Sequence, residues 1–130
     1  MPIVYEYHKQ DHTVQARVSG CLELDEVINY MNSLMNDPSV PSGFLEVVDF
    51  DEVTRFGFET SKIRIILDLY LKLKKSNQSI GTLFIASNPV AYGICRTLMG
   101  FYSGEGVMNV IRTRDSIQST ILSIRDLYPR

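Results

Sequence analysis

The sequence contains no tryptophan and only two cysteines, and it has no long run of apolar residues. A transmembrane helix needs about 18 or more consecutive apolar residues, so we expect none in this chain. Two cysteines are too few to build a disulfide-stapled fold. The first residues lack a basic segment followed by an apolar stretch, so we expect no signal peptide and a cytoplasmic protein. In that reducing compartment, Cys21 and Cys95 are expected to be free thiols.

Charge of one sign is not in large excess either. The 130 residues include 13 basic and 15 acidic side chains, which gives a net charge of −2. Proteins that bind nucleic acid normally carry a basic stripe. The one basic cluster, Lys72, Lys74 and Lys75, falls at the end of a predicted helix, where positive charge complements the helix dipole. We therefore expect no nucleic-acid partner.

The composition that remains is that of an ordinary globular protein, with 45% hydrophobic and 22% charged residues. The length fits a single domain over residues 1–130. Apolar and polar residues alternate over 3–8 and again over 12–18, with a short polar link between the two runs. This pattern predicts an antiparallel β-hairpin at the start of the chain.

Helical and strand patterns alternate through the rest of the chain. They predict helices over 24–35, 60–75 and 88–102 and from 113 onward, and strands over 44–50, 80–86 and 107–111. The stretch 51–57 favours a loop. The order predicts an α/β fold, in which an N-terminal β-hairpin and alternating β-α units form a mixed, mostly parallel five-stranded sheet with four helices.

Two of the predicted helices carry clear local signals. Asn88 followed by Pro89 is typical of a helix start, because asparagine is a favoured N-cap and proline needs no N–H at the first helical position. The last helix, capped by Thr113, presents one apolar face. That face consists of Ile117, Ile121, Ile124 and Tyr128.

Three stretches of the sequence resemble the SpoIIAA-like family of small bacterial proteins, which has the STAS-like fold. They are Val18-Ser19-Gly20 with the helix start that follows it, the segment 47–54 around Asp49, and the segment 86–96, which ends in Tyr-Gly-x-x-Arg. The resemblance covers nearly the whole chain and implies the same fold. Relatives of that family include anti-sigma-factor antagonists and lipid-carrier-like domains. The resemblance thus implies a non-enzymatic binding or regulatory module without naming its partner.

A phosphorylation switch is the first function to consider for such a module. In STAS antagonists, the loop after the aspartate-bearing strand presents a phosphorylatable serine in an Asp-Ser-x-Gly context. Here Gly57-Phe58 stands at roughly that place, and Thr60 and Ser61 are the nearest hydroxyls. We interpret these two hydroxyls as helix caps. The sequence therefore predicts a module without the usual phosphorylatable serine.

Three carboxylates, Asp49, Asp51 and Glu52, stand at the carboxyl end of a predicted parallel strand, where open α/β sheets bind ligands. Paired carboxylates can perform acid–base chemistry, so a small hydrolase is one hypothesis, and a solvated strand end is the simpler one. The sequence has no phosphate-cradling glycine loop and no Gly-x-Ser-x-Gly motif. The sequence shows no further ligand that would complete a metal site with a pair of these carboxylates. We therefore expect that the protein is not an enzyme and that it binds neither a cofactor nor a metal ion.

Tyr92 and Arg96 stand four residues apart on one face of a predicted helix. Their phenol and guanidinium suit an anionic group. Combined with Asp49, Asp51, Phe56 and Phe58, they predict a site for an acidic, amphipathic small molecule. The alternative makes Arg96 a structural partner of Asp49 or Asp51.

The predicted helix 60–75 is apolar over more of its surface than one sheet face requires. Its core stripe consists of Ile63, Ile66, Leu67, Tyr70 and Leu73. Leu69 and Leu71 flank that stripe, and Ile65 lies well off it. Three interpretations stay open: a deeply buried helix, a homodimer surface that includes Ile65 and Leu69, or the wall of an apolar pocket in a lipid carrier.

Overall fold

In the computed structural model, which describes residues 3–101 and 107–127, five strands form one sheet in their order along the chain. They are β1 (Ile3–His8), β2 (Thr13–Leu22), β3 (Leu45–Phe56), β4 (Gly81–Ile85) and β5 (Val107–Ile111). The pairing of β1 with β2 is antiparallel, and the pairings β2–β3, β3–β4 and β4–β5 are parallel. The predicted mixed, mostly parallel five-stranded sheet is confirmed.

Four α-helices connect or follow these strands, as predicted. They are α1 (Leu24–Met35), α2 (Ile63–Asn77), α3 (Pro89–Phe101) and α4 (Ile117–Leu127), and short 3-10 turns precede α2 and α4. Asn88 Oδ1 accepts hydrogen bonds from the backbone N–H of Val90 (2.8 Å) and Ala91 (3.4 Å), so Asn88 is the predicted N-cap of α3. Glu23 and Glu26 form a capping box at the start of α1.

The two faces of the sheet are covered unequally. Helices α1, α2 and α3 pack on one face and enclose the larger hydrophobic core. The predicted stripe of α2 is buried in that core: Ile63, Ile66, Leu67, Tyr70 and Leu73. On the other face α4 places Ile121 and Ile124 against β3 and β4. Tyr128, predicted for the same face of that helix, lies outside the described residues.

One sequence prediction about the fold is wrong. The stretch 51–57 was expected to form a loop, but β3 continues to Phe56 because β2 also continues, to Leu22, and pairs with it. Two register shifts interrupt this pairing, and Gly20 between them adopts φ +70°. Glycine takes this left-handed conformation without the steric cost that a side chain brings. Gly20 thus marks an irregularity inside β2.

Because α4 is the helix on the second face of the sheet, and it packs on β3 and β4, the β1–β2 half of that face stays open. Strand alternation places Val4 and Glu6 of β1, and Gln15 and Arg17 of β2, on this open half. The open half borders α4 and the carboxyl end of β3. This asymmetry positions a groove that is described below.

Candidate functional site

The carboxylates of Asp49 and Asp51 are tied into the structure by Arg114. The guanidinium donates from Nη2 to Asp49 and places Nε 3.3 Å from the carboxylate of Asp51. Asp51 also accepts from the backbone N–H and the hydroxyl of Ser87, at 3.1 and 2.8 Å. The N–H of Asp51 donates in turn to Asp49 at 2.9 Å. The pair therefore connects the middle of β3 with the segments that precede α3 and α4.

Arg114, and not Arg96, is thus the partner of these carboxylates, and the structural role that the sequence suggested for Arg96 is wrong. The sequence did hold a signal for the right residue. Arg114 is the third residue after β5, and the carboxyl ends of neighbouring parallel strands meet at the same edge of a sheet. Arg96 drew attention because it stands four residues from Tyr92 on one helix face, a spacing that carries no information about which carboxylate it pairs with.

Tyr92 interacts with an arginine that the sequence analysis did not consider. The guanidinium of Arg112 lies over its ring, with Cζ 4.4 Å from the ring centroid, which is a cation–π contact. Arg96 is exposed, and its Cζ is 6.0 Å from the same centroid. The predicted pair of Tyr92 and Arg96 is therefore present on one side of α3, with Arg112 as its closest cation.

Phe56 and Phe58 lie on the opposite side of the sheet from Asp49. Their rings contact each other edge to face, with centroids 5.9 Å apart. They line a small apolar pocket between the sheet, α2 and α3, together with Tyr70 and Cys95. The structure thus does not bring the six predicted ligand residues into one site, because the sheet separates the carboxylates from the phenylalanines.

The size of this apolar pocket bears on the lipid-carrier hypothesis. Its cavity volume is about 50 Å³. Sites for drug-sized ligands span roughly 300–1,000 Å³. The pocket beneath α2 therefore exists as predicted but holds no space for a lipid chain in this conformation.

A larger cavity, of about 370 Å³, lies on the open half of the sheet beside α4. Its walls come from β1, β2, the first half of β3, the end of β4 and the start of α4. The side chains used below are Val4, Arg17, Val47, Asp49, Arg114 and Ile117. Sequence reasoning missed this groove. Arg17 belongs to the polar side of an alternating strand, and such a side is usually solvated.

The loop that carries the phosphorylation switch in STAS antagonists has a different chemistry here. Gly57 donates its N–H to Leu22 at 2.8 Å, and a Cβ at position 57 would collide with the carboxylate of Glu23. The predicted capping role of Thr60 and Ser61 is wrong. Neither hydroxyl caps a helix, because Glu59 is the N-cap residue of the 3-10 turn and Ser61 donates to its side chain at 3.4 Å.

Ile65 and Leu69, the predicted dimer surface, occupy one flank of α2. The side chain of Ile65 is 39% exposed, whereas Leu69 is half-buried against the core. Ile65 is the better candidate for a contact between copies. Cys21 and Cys95 are both free thiols, as expected.

The most deeply buried carboxyl group escaped the sequence analysis altogether. Glu46 of β3 is 0% exposed and accepts hydrogen bonds from the hydroxyls of Tyr30 and Thr82, the latter at 2.8 Å. Burial raises the pKa of Glu46, and the hydrogen bonds to Tyr30, Thr82 and Tyr70 act in the opposite direction. Glu46 stands in the short apolar run that predicted β3, and nothing in that run marks its partners.

The described part of the chain shows neither a metal-binding cluster nor a membrane-spanning helix. Within residues 3–101 and 107–127, no cluster of three or more histidine, cysteine, aspartate or glutamate side chains is arranged to hold a metal ion. The same residues include no helix with the length and apolar character needed to cross a bilayer.

The element order, the mixed sheet and the four helices define a SpoIIAA-like fold of the STAS type. Solved structures that share it include the following two. The anti-sigma factor antagonist SpoIIAA in its unphosphorylated form is 12% identical, with a TM-score of 0.54, over 93% of this chain and 97% of that chain. An uncharacterized protein with a SpoIIAA-like fold from Shewanella loihica PV-4 is 14% identical, with a TM-score of 0.56, over 92% of this chain and 91% of that chain.

These likenesses show the fold and nothing finer. No protein-family model matches the sequence, and no curated protein matches it. The fold predicted from the sequence is confirmed, and the function has to be argued from the residues of this chain.

Proposed function

We propose that this protein is a non-enzymatic regulatory module of the cytoplasm that binds a protein partner and is not switched by phosphorylation of the loop after β3. The observation that carries the proposal is the contact between Glu23 and Gly57. The carboxylate of Glu23 occupies the space into which a side chain at position 57 would project. The carboxylate of Glu23 beside this loop supplies negative charge there without a kinase.

The bonding of Asp49 and Asp51 supports a binding role over hydrolysis. A catalytic carboxyl pair works best when its two environments differ, so that one group holds a proton and the other does not. Here both groups pair with the same guanidinium, so this shared partner does not set their environments apart. Their arrangement suits a structural tie between three segments.

The proposed partner surface consists of the loop 57–59 and the exposed start of α2. Phe58 is half-buried at this loop, and Glu59 and Lys62 beside it are exposed. An apolar side chain surrounded by charged ones is a common arrangement at transient protein interfaces. Homodimer formation through Ile65, which lies on the next turn of the same helix, belongs to this proposal.

The test compares the partner proteins that are retained by two variants, each with one carboxylate replaced by arginine. Glu59→Arg alters the proposed surface, and Asp126→Arg alters an exposed carboxylate of α4 on the opposite side of the sheet. We expect native partners, identified by mass spectrometry after affinity purification, to bind the wild type and Asp126→Arg and to be lost from Glu59→Arg. Equal retention by both variants would show that the surface is wrong.

A further inference from the structure

We propose that the groove on the open half of the sheet binds a small carboxylic acid with an apolar body. The site is independent of the proposed partner surface, because the two lie on opposite faces of the sheet. It also differs from the site that the sequence predicted, since Phe56, Phe58, Tyr92 and Arg96 have no part in it.

The groove has the dimensions of a ligand site. Its volume of about 370 Å³ falls within the range of roughly 300–1,000 Å³ that small-molecule sites occupy. The β1–β2 half of the sheet forms its floor, and the first turn of α4 forms a side wall through Ile117. Two other cavities, beneath α2 and beside Ser79, are far smaller, at about 50 and 10 Å³.

Arg17 provides the charge that an acid would meet. It lies on an inner strand, where its Cα is paired with Val4 on one side and Asp49 on the other. Its side chain is exposed and makes no hydrogen bond or ion pair with any described residue. A guanidinium presents parallel donors whose geometry matches a carboxylate, so an incoming acid can form a bidentate pair with Arg17.

Arg114 provides a second, fixed donor. Its Nη2 and Nε are held by Asp49 and Asp51, and within the described residues Nη1 has no hydrogen-bond partner. Two carboxylates thus hold the guanidinium in place before any ligand arrives, which reduces the entropy lost on binding.

The acidic groups of the groove already have partners. Asp49 accepts from Arg114 and from the N–H of Asp51, and Glu6 pairs with His8 at 2.9 Å. Arg17, by contrast, has no hydrogen-bond or ion-pair partner among the described residues, so it can pair with the carboxylate of an incoming acid. The apolar walls select the rest of the ligand.

Those apolar walls are Val47, Ile85 and Ile117, with Val4 at the rim. Val4 is 64% exposed, although valine side chains are normally buried in a sheet. A ligand with an aliphatic body would cover this side chain and remove apolar surface from water. A fully polar anion, such as inorganic phosphate, would gain nothing from these walls.

Three probes test separately whether the ligand needs a carboxylate and whether it needs an apolar body: octanoate, octanol and inorganic phosphate. Titration calorimetry should show saturable binding of octanoate to the wild type and binding at least about tenfold weaker for the other two. Arg17→Met keeps the aliphatic stem and removes the charge, so it should weaken octanoate binding about ten- to hundredfold. The control, Arg64→Met, removes an exposed arginine from α2 on the other side of the sheet and should leave the affinity unchanged.

The binding site of octanoate is located by NMR, from the changes in backbone amide chemical shift as octanoate is added. Shifts at Gln15, Arg17 and Val47 support the groove. Shifts confined to Ile94 and Cys95 would place octanoate in the apolar pocket and overturn the proposal. So would equal binding by wild type and Arg17→Met, equal binding of octanol, or no saturation with octanoate. None of these outcomes depends on whether Glu59 contacts a protein partner.

Discussion

Tyr30 of α1 donates a hydrogen bond to Glu46 of β3, and both side chains are buried beneath the helices. Burial is also the main reason that the pKa of Tyr30 lies well above its ordinary value, and the charge of Glu46 adds to the effect. A carboxyl group at this depth is costly to ionise, and its hydroxyl partners offset part of that cost. The stability of the core therefore depends on the protonation of Glu46.

The first prediction concerns pH. Because burial raises the pKa of Glu46 above the ordinary value of 4.5, the folded protein binds this proton more tightly than the unfolded chain does. The resulting stabilisation is complete below the unfolded pKa and is lost as the pH rises through the folded pKa. Urea unfolding of wild type and Glu46→Gln should show their difference in unfolding free energy changing across that range.

Glu52→Gln is the matched control for this prediction, because it removes an exposed carboxyl from the same strand. Its difference from the wild type should stay constant over the pH range in which Glu46→Gln changes. A constant difference for Glu46→Gln as well would mean that burial does not control the proton of Glu46.

Most of the fold was predictable because the hydrophobic patterns of its helices and strands extend over many residues. The residues that begin or end these elements also lie next to them in the sequence. The stripe of α2 from Ile63 to Leu73 and the Asn88 cap of α3 were recognised from spacing and residue type alone. The extension of β3 was not, since the strand continues only because β2 supplies hydrogen-bond partners as far as Leu22. The local sequence of a strand does not reveal which distant strand it pairs with or how far that pairing extends.

The candidate sites were less predictable for a related reason. The sequence placed Asp49 at the end of a strand, but β3 continues to Phe56, and Asp49 lies within it, level with the end of β4. Which arginine reaches Asp49 depends on how β5 and the start of α4 meet the sheet there. The groove was harder still to predict, because it depends on how much of the sheet α4 covers. It exists because α4 covers one half of a sheet face, and the alternation that contains Arg17 is equally consistent with plain solvation.

The second prediction concerns self-association. Ile65 is exposed on α2 and should be buried against a second copy, so Ile65→Asp should give folded monomers. Leu122→Asp on α4 is the control, because Leu122 is also exposed but lies on the other side of the sheet. Sedimentation at micromolar concentration should find dimers for the wild type and Leu122→Asp. A monomeric wild type would refute dimer formation through α2.

The third prediction concerns phosphorylation. Residues 54–61 lack the Asp-Ser pair of the switch, and Gly57 is backed by the carboxylate of Glu23. Phosphopeptide mapping of protein purified from its native cells should find this segment unmodified. Thr60 and Ser61 are exposed in a 3-10 turn, so a kinase would meet no steric barrier there. Stoichiometric phosphate on either hydroxyl would show that the module is switched after all.

The last prediction separates Arg114 from Arg96. The side chain of Asp49 is only 10% exposed, so Arg114→Met leaves a nearly buried carboxylate without its charged partner. Arg114 itself is 52% exposed, and water screens part of the interaction. The variant should therefore lose about 1–3 kcal/mol of unfolding free energy. Arg96 is exposed and makes no ion pair with a described residue, so Arg96→Met should stay within about 0.5 kcal/mol of the wild type. Urea denaturation of the two variants measures both values, and a larger loss from Arg96→Met would restore Arg96 as the structural partner of the carboxylates.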